Sequence, residues 1–249
     1  MKRSMRGTLV AIVLGLSIVV VAAATAPILR VGPFSTAQPG GPFPSGWKPL
    51  TFEKIDRHTR YTLVRDEDGT VVVKAESHGS SSGLTRELSI DPREYPIVEW
   101  RWKVENLIEK ADVTSKAGDD YPARLYITFA YDPRKVGWWE RAQFELIKLA
   151  YGRYPPLGAI NYIWERRTPA GSIVPNPYTD RVQMIVVRSG GQHLNQWLTE
   201  RRNVYQDYVN AFGEPPSRIS GVAIMTDTDN TGESAVAYYG DIVFKQAAN

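Results

Sequence analysis

From Leu50 to the C-terminus, short runs of β-branched, aromatic and aliphatic residues follow one another. Gly, Pro, Asp, Asn or Ser clusters separate them, and this rhythm constrains the fold more than any other feature. The runs are Thr51–Ile55, Arg60–Arg65, Thr70–Ser77, Gly83–Ile90, Ile97–Val104, Ala123–Tyr131, Ile160–Glu165, Val182–Ser189, Ile219–Thr226 and Ala235–Phe244. Such a series, with few helices between its members, predicts a mainly β protein: an antiparallel β-sandwich or jelly roll with about two peripheral helices. Asp66-Glu67-Asp68-Gly69 reads as a hairpin turn, because Gly supplies the positive φ such turns need. Two helices are expected. Trp138–Tyr151 carries Trp139, Ala142, Leu146 and Leu149 at helical spacing, a stripe expected to pack on the sandwich. Immersion of Trp138 and Trp139 in a membrane interface is the alternative. Glu200–Phe212 carries Val204, Tyr205, Tyr208 and Phe212, with Gly213 as its C-cap.

The N-terminus reads as an export signal. Lys2, Arg3 and Arg6 are followed by 23 uncharged residues, Gly7 to Leu29, rich in Leu, Ile, Val and Ala. At about 1.5 Å per residue this run can cross a hydrocarbon core of about 30 Å. It also has the parts of a secretory signal, with small residues at Ala22, Ala23, Ala24 and Ala26 and a cleavage site expected after Ala24. Residues 1–29 are therefore a cleaved signal peptide or a retained membrane anchor. Either places the rest in the periplasm or cell envelope. From Pro27 to Pro49 there are six Pro and four Gly, so residues 30–49 read as an extended linker before a single domain over 50–249.

Composition narrows the function. The formal charge of +3 belongs to the signal: residues 31–249 hold 26 Lys and Arg against 27 Asp and Glu, so no basic body argues for nucleic acid. With no Cys, disulfides, thiol nucleophiles and Cys-ligated zinc are excluded. His58, His78 and His193 stand apart, and Ser80-Ser81-Ser82-Gly83 is not a G-x-S-x-G elbow.

Alternation along two runs points to a face. Val98, Trp100, Trp102 and Val104 fall on one side of their strand and Glu99, Arg101 and Lys103 on the other; Leu125, Ile127 and Phe129 oppose Arg124, Tyr126 and Thr128. If the strands are neighbours, Arg101, Lys103, Arg124 and Tyr126 form one cationic, aromatic surface suited to a polyhydroxylated or anionic ligand. The plainer alternative is a solvated face of cross-strand ion pairs. Asp119 and Asp120, at the entry to the second strand, either bind the same ligand or pair with Arg101 or Arg124. Asp227, Asp229 and Asn230 in one tight loop, with Asp241 following, offer the hard oxygens a Ca²⁺ needs, although the spacing is not an EF-hand. Asx-turns explain the same residues without metal.

Several segments together resemble a bacterial exported family, domain of unknown function 3047. They are Ser77…Ser82-Gly83-Leu84, Glu99-Trp100-Arg101-Trp102-Lys103, Gly118-Asp119-Asp120-Tyr121-Pro122-Ala123-Arg124, Ile163-Trp164, Arg202-Asn203-Val204…Asp207-Tyr208…Phe212-Gly213 and Met225-Thr226-Asp227-Thr228-Asp229-Asn230-Thr231…Tyr239-Gly240-Asp241-Ile242. The resemblance runs from Trp47 to the end and implies a predominantly β envelope protein, with no activity or catalytic residues attached. More loosely, Tyr238-Tyr239-Gly240-Asp241-Ile242 is similar to the closing strand of jelly-roll carbohydrate-binding modules. The expectation is a non-catalytic module for a glycan or other polar ligand. A polysaccharide lyase built on Tyr126, Arg124 and His193 is one alternative, and a structural assembly factor is another.

Overall fold

The computed structural model describes residues 27–152 and 154–247, apart from the side chains of residues 150 and 151. Thirteen strands and two α-helices follow in order: β1 (Ile28–Gly32), β2 (Trp47–Leu50), β3 (Arg60–Arg65), β4 (Val71–His78), β5 (Ser81–Ile90), β6 (Ile97–Val104), β7 (Ala123–Phe129), α1 (Trp138–Tyr151), β8 (Gly158–Glu165), β9 (Ile173–Asn176), β10 (Thr179–Ser189), β11 (Leu198–Asn203), α2 (Val204–Phe212), β12 (Ile219–Asp227) and β13 (Ser234–Lys245). They form a β-sandwich. One sheet runs β11-β6-β13-β4-β3 with β1 on β13, and the other runs β2-β5-β12-β7-β8-β10-β9. All strand pairs are antiparallel except β8 with β10, a parallel pair inside an otherwise antiparallel sheet. β8 is buried along its whole length, because Val113, Tyr121 and Val174 cover Ile163, Met184 and Val186 on the side away from the sandwich core. Burial on both faces is the usual condition of parallel strands.

The alternation in β6 and β7 does what it predicts. Trp100 and Trp102 face inward from the six-stranded sheet and meet Tyr162 and Trp164 of β8, with ring centroids 5.2 and 6.1 Å apart. These aromatic pairs, with Leu125, Ile127, Ile224 and Phe244, carry the main burial of the fold.

Four local expectations are corrected. The stretch 30–49 is not a free linker: β1 pairs with β13 in one sheet and β2 with β5 in the other, so this segment straps the two sheets together. Phe34 and Trp47 are its buried anchors, 5.0 Å apart, and the Trp47 indole donates to Val31 O at 2.8 Å. Pro49 is tolerated because β2 is an edge strand. The same strand takes Ile28 and Leu29 out of the N-terminal apolar run; the rest of that expected signal or anchor lies outside the described residues. Thr51–Ile55 is a turn, closed by Ile55 N to Phe52 O at 3.0 Å, and not a strand. The helix expected from Glu200 begins at Val204, because residues 198–203 pair with β6 as β11. Asn203 caps α2 by accepting from Gln206 N, and Gly213 ends it at φ 75°.

A second helix-related correction concerns α1. Its stripe of Trp138, Trp139, Leu146 and Leu149 faces away from the sandwich, and Phe144 is the residue it buries.

The sandwich has two unlike ends. At one, Ile28 and Ile97 both pair with Lys245, Asn203 pairs with Ile97, and α2 crosses to put Tyr208 against Phe129, with ring centroids 4.4 Å apart. Phe129 pairs with Gly158, and α1 lies in the connection between them, so both helices sit at this end. At the opposite end Asp227 closes β12 beside the start of β7.

Candidate functional site

β6 and β7 are not neighbours. They belong to different sheets, so Arg101 and Lys103 lie on the outer side of the six-stranded sheet, and Arg124 and Tyr126 on the outer side of the other. Parity fixes the side to which a residue points but not which strand lies beside it. The expected four-residue face is therefore two separate places.

Arg124 is 1 % exposed, because the loops before β7 and after β12 fold over it. Its Nε donates to Asp227 Oδ1 at 2.7 Å and its Nη2 to Asp227 Oδ2, while Nη1 reaches Asp119 Oδ1 at 3.4 Å and Tyr126 Oη at 3.1 Å. Nη2 also donates to the Asp119 carbonyl, and the guanidinium lies 4.3 Å from the Tyr121 ring centroid. Burial opposes its charge, but Asp227, Tyr126 and Asp119 hold it firmly ionised. Asp119 accepts a further bond from Asn176 Nδ2 at 3.0 Å, and Asp120 accepts from Asn230 N, Asn230 Nδ2 and Thr231 N. Arg124, Asp119 and Asp120 thus clamp three loops together. Of the alternatives open for the two aspartates, Asp119 takes the pairing with Arg124, and Asp120 fixes the 230–231 backbone.

The acidic cluster keeps Asp227 and Asp229 of the expected set but takes Asp120 in place of Asn230 and Asp241. Asp120, Asp227 and Asp229 each bring one carboxylate oxygen within 4.8 Å of the others. Asn230 Oδ1 instead accepts from the Tyr178 hydroxyl at 2.8 Å. Asp241 is carried away along β13 to the outer side of the other sheet, where it accepts from Ser35 N and Ser35 Oγ at 2.8 and 2.7 Å. Three carboxylates at this spacing are oxygen donors of the kind Ca²⁺ takes. The Arg124 guanidinium, however, already supplies the positive charge against Asp227. Burial pushes the Asp227 carboxyl up, to about 8; Asp120 and Asp119 add to the rise and Arg124 opposes it. Burial and then the Asp120 charge raise Asp229 as well.

The lyase geometry is not assembled. Tyr126 is raised by burial to about 12, the wrong direction for a base, and accepts from Arg124. His193 sits in the loop before β11 with its Nδ1 3.4 Å from Gln196 Oε1, and Asn195 N of the same loop donates to Val104 O of the six-stranded sheet, whereas Tyr126 belongs to the other sheet.

The remaining face is on the outer side of the six-stranded sheet. Lys103, Tyr238 and Lys74 stand opposite one another on β6, β13 and β4, with Lys103 Nζ 4.6 Å from the Tyr238 ring centroid. Trp197 borders this row: Arg101 lies 4.4 Å over its ring, and its indole N–H donates to Asp66 Oδ2. Lys103 donates to the other oxygen of Asp66 at 2.8 Å. Burial works to raise Asp66, but these two donors outweigh it and hold the carboxyl below its usual range. Beside the row, towards β1, is a groove of about 300 Å³ lined by Arg30, Glu99, Arg101, Thr199, Asp241 and Lys245. Its polar groups are partly paired, Lys245 with Glu99 at 2.6 Å and Arg101 with Asp68 at 3.5 Å. Among the described residues, Arg30 and Thr199 have no side-chain partner and both are exposed. Arg101 reaches across Gly240, where a Cβ would stand 2.4 Å from Arg101 Cγ. A larger hollow of about 390 Å³ lies between α1 and α2, but four of its five charges pair off among themselves, Arg181 with Glu140 and Lys135 with Glu214, leaving Asp180.

Of the groove and its border, sequence reading names Arg101 and Lys103 as ligand contacts, Asp241 only as a metal ligand and Glu99 only as a member of the polar side of its strand. Tyr238 is recoverable from alternation along β13. Trp197, Asp66 and Arg30 lie in a loop, a hairpin turn and the apparent linker, where no periodicity marks them.

A two-layer β-sandwich with one polar, aromatic-bordered outer face is the class of protein these features define. The chain belongs to the family described as protein of unknown function (DUF3047), whose model matches residues 45–243. A comparison with curated proteins gives no match. Among solved structures the chain is similar to the family 11 carbohydrate-binding module of the cellulosomal cellulase Lic26A-Cel5E of Clostridium thermocellum. That match has 9 % identity over 91 % of this chain and 98 % of that one, with a TM-score of 0.43. It is also similar to the Emp47p carbohydrate recognition domain (11 %, 92 % and 100 %, TM-score 0.46). The K3 cleaved adhesin domain of Lys-gingipain from Porphyromonas gingivalis w83 is a third (9 %, 90 % and 99 %, TM-score 0.38). With likenesses this distant, function rests on this chain's own residues.

Proposed function

We propose that the protein is a non-catalytic binding module of the cell envelope, exported by its N-terminal signal, which takes a glycan or similar polyhydroxylated ligand on the outer face of its six-stranded sheet. The groove of about 300 Å³ carries this reading, since it offers unpaired donors at Arg30 and Thr199 beside acceptors at Glu99 and Asp241. Mixed donors and acceptors in a shallow cleft match the alternating hydroxyls of a sugar chain, and Arg101 adds a planar donor fork. Tyr238 and Trp197 at the border supply apolar ring surface with polar tips. Residues 1–29 either leave after export or tether the module to the membrane. An array of bacterial envelope glycans probed with the purified protein tests the reading: selective binding is expected, and a blank array contradicts it.

A further inference from the structure

Helix α1 carries an apolar stripe that no part of the described fold covers. Trp138 is 78 % exposed, Trp139 62 %, Leu146 66 % and Leu149 84 %, and at 100° per residue they share one side of the helix with Ala142. The helix cannot roll this stripe inward, because its other side is pinned. Phe144 is buried against Val136 and Leu157 and stacks on Tyr131, ring centroids 4.3 Å apart. Tyr154 donates to Glu145 at 2.6 Å, and Arg181 pairs with Glu140.

The position of α1 points to what covers the stripe. The chain enters the fold at Ile28, which pairs with Lys245 at the end of the sandwich that holds both helices. Directly before it in sequence is the uncharged apolar run from Gly7, separated from β1 by Pro27 alone among the described residues. A membrane-embedded run there leaves no spacer, and brings the α1 end of the domain to the bilayer surface. The buried carboxylates Asp119, Asp120 and Asp227, with the half-buried Asp229, are then at the far end.

We infer that α1 is an interfacial helix that seats the domain on a lipid bilayer, with Trp138, Trp139, Leu146 and Leu149 in the boundary between headgroups and acyl chains. Trp is favoured at that depth, and Leu on the same side supplies the apolar area such helices bury. The inference rests on the tethered form of the proposed function only for the nearness of the bilayer, and is independent of the ligand.

The absence of Cys makes the test direct. Full-length chain with Leu146→Cys or, as control, Lys116→Cys at the far end is spin-labelled and reconstituted into phosphatidylcholine–phosphatidylglycerol vesicles. The label at 146 is expected to lose accessibility to a water-soluble nickel complex several-fold and to gain accessibility to oxygen, while the label at 116 changes in neither. Adding Trp138→Ser and Trp139→Ser, both at exposed positions, should restore nickel access at 146. A chain that floats with the vesicles while the 146 label stays in water overturns the interfacial helix and leaves the tether standing. A chain that does not float overturns both. Shielding from both reagents with spin–spin broadening, in vesicles and detergent alike, overturns the inference in favour of pairing between two copies.

Discussion

Arg124 and Asp227 close a two-point bond between the adjacent strands β7 and β12, Nε to Oδ1 at 2.7 Å and Nη2 to Oδ2, with both side chains withdrawn from water. A buried charge left without its partner costs about 3–5 kcal/mol. Arg124→Met should therefore lower the stability of the protein by about that amount, read as a lower urea midpoint at unchanged slope. A variant of unchanged stability that loses ligand binding would contradict the structural role given to Arg124.

The same end of the molecule sets a pH dependence. Burial and Asp120 raise Asp229 and push Asp227 to about 8 against the pull of Arg124. The three-carboxylate cluster as a whole, rather than the Asp227 oxygens that accept from Arg124, therefore holds a proton that the unfolded chain releases near pH 4. A raised carboxyl makes stability fall as pH climbs from about 4 to about 8 and level off above that. Melting temperatures from pH 5 to 9 should show this decline, with a shallower slope in Asp120→Asn, which removes the like charge. Equal slopes in the two proteins would sink the explanation.

Gly240 is where the groove meets the sheet. Gly240→Ala puts a methyl where the Arg101 stem lies, and the flexible side chain must swing away. Gly240 is buried beneath Arg101, but the atoms that must give way belong to a flexible side chain, so stability should shift by less than about 1 kcal/mol. Binding to an array-selected glycan should nevertheless weaken, and calorimetric titration beside a melting curve separates the two effects.

The strap from β1 to β2 gives a fourth expectation. Phe34 is fully buried against Trp47, and truncating a buried Phe to Ala costs about 3–5 kcal/mol. Phe34→Ala should unfold at correspondingly lower denaturant. A free linker would tolerate the change, so an unshifted midpoint would argue that the strap contributes nothing.

Strand content was legible because alternation is local: β3 and β6 coincide with the runs read from sequence, and Trp100 and Trp102 face the core as parity requires. The strap was not legible, because Val31, Phe34 and Trp47 are spaced too irregularly for any period and sit among prolines. β11 was hidden by its charges, since the buried member of its alternation is Glu200, held by Trp102 Nε1 at 3.1 Å and by Arg188 at 2.7 Å. The site was legible only by halves. Arg101 and Lys103 could be placed on an outer face, but sheet partnership is non-local, so nothing in two separate strands told that Arg124 belonged to the other sheet. The α1 stripe shows the same limit: helical spacing reveals that a face is apolar, while whether protein covers it depends on Tyr131 and Tyr154, which take the opposite side.

The outer face of the six-stranded sheet is tested most directly by calorimetric titration of one array-selected envelope glycan into the native protein, Arg30→Ala and Arg101→Ala. Both positions are on the surface, so folding should be preserved. Affinity is expected to drop at least about tenfold in each, equivalent to about 1.4 kcal/mol. Native affinity in both variants would contradict the assignment of this groove as the binding face.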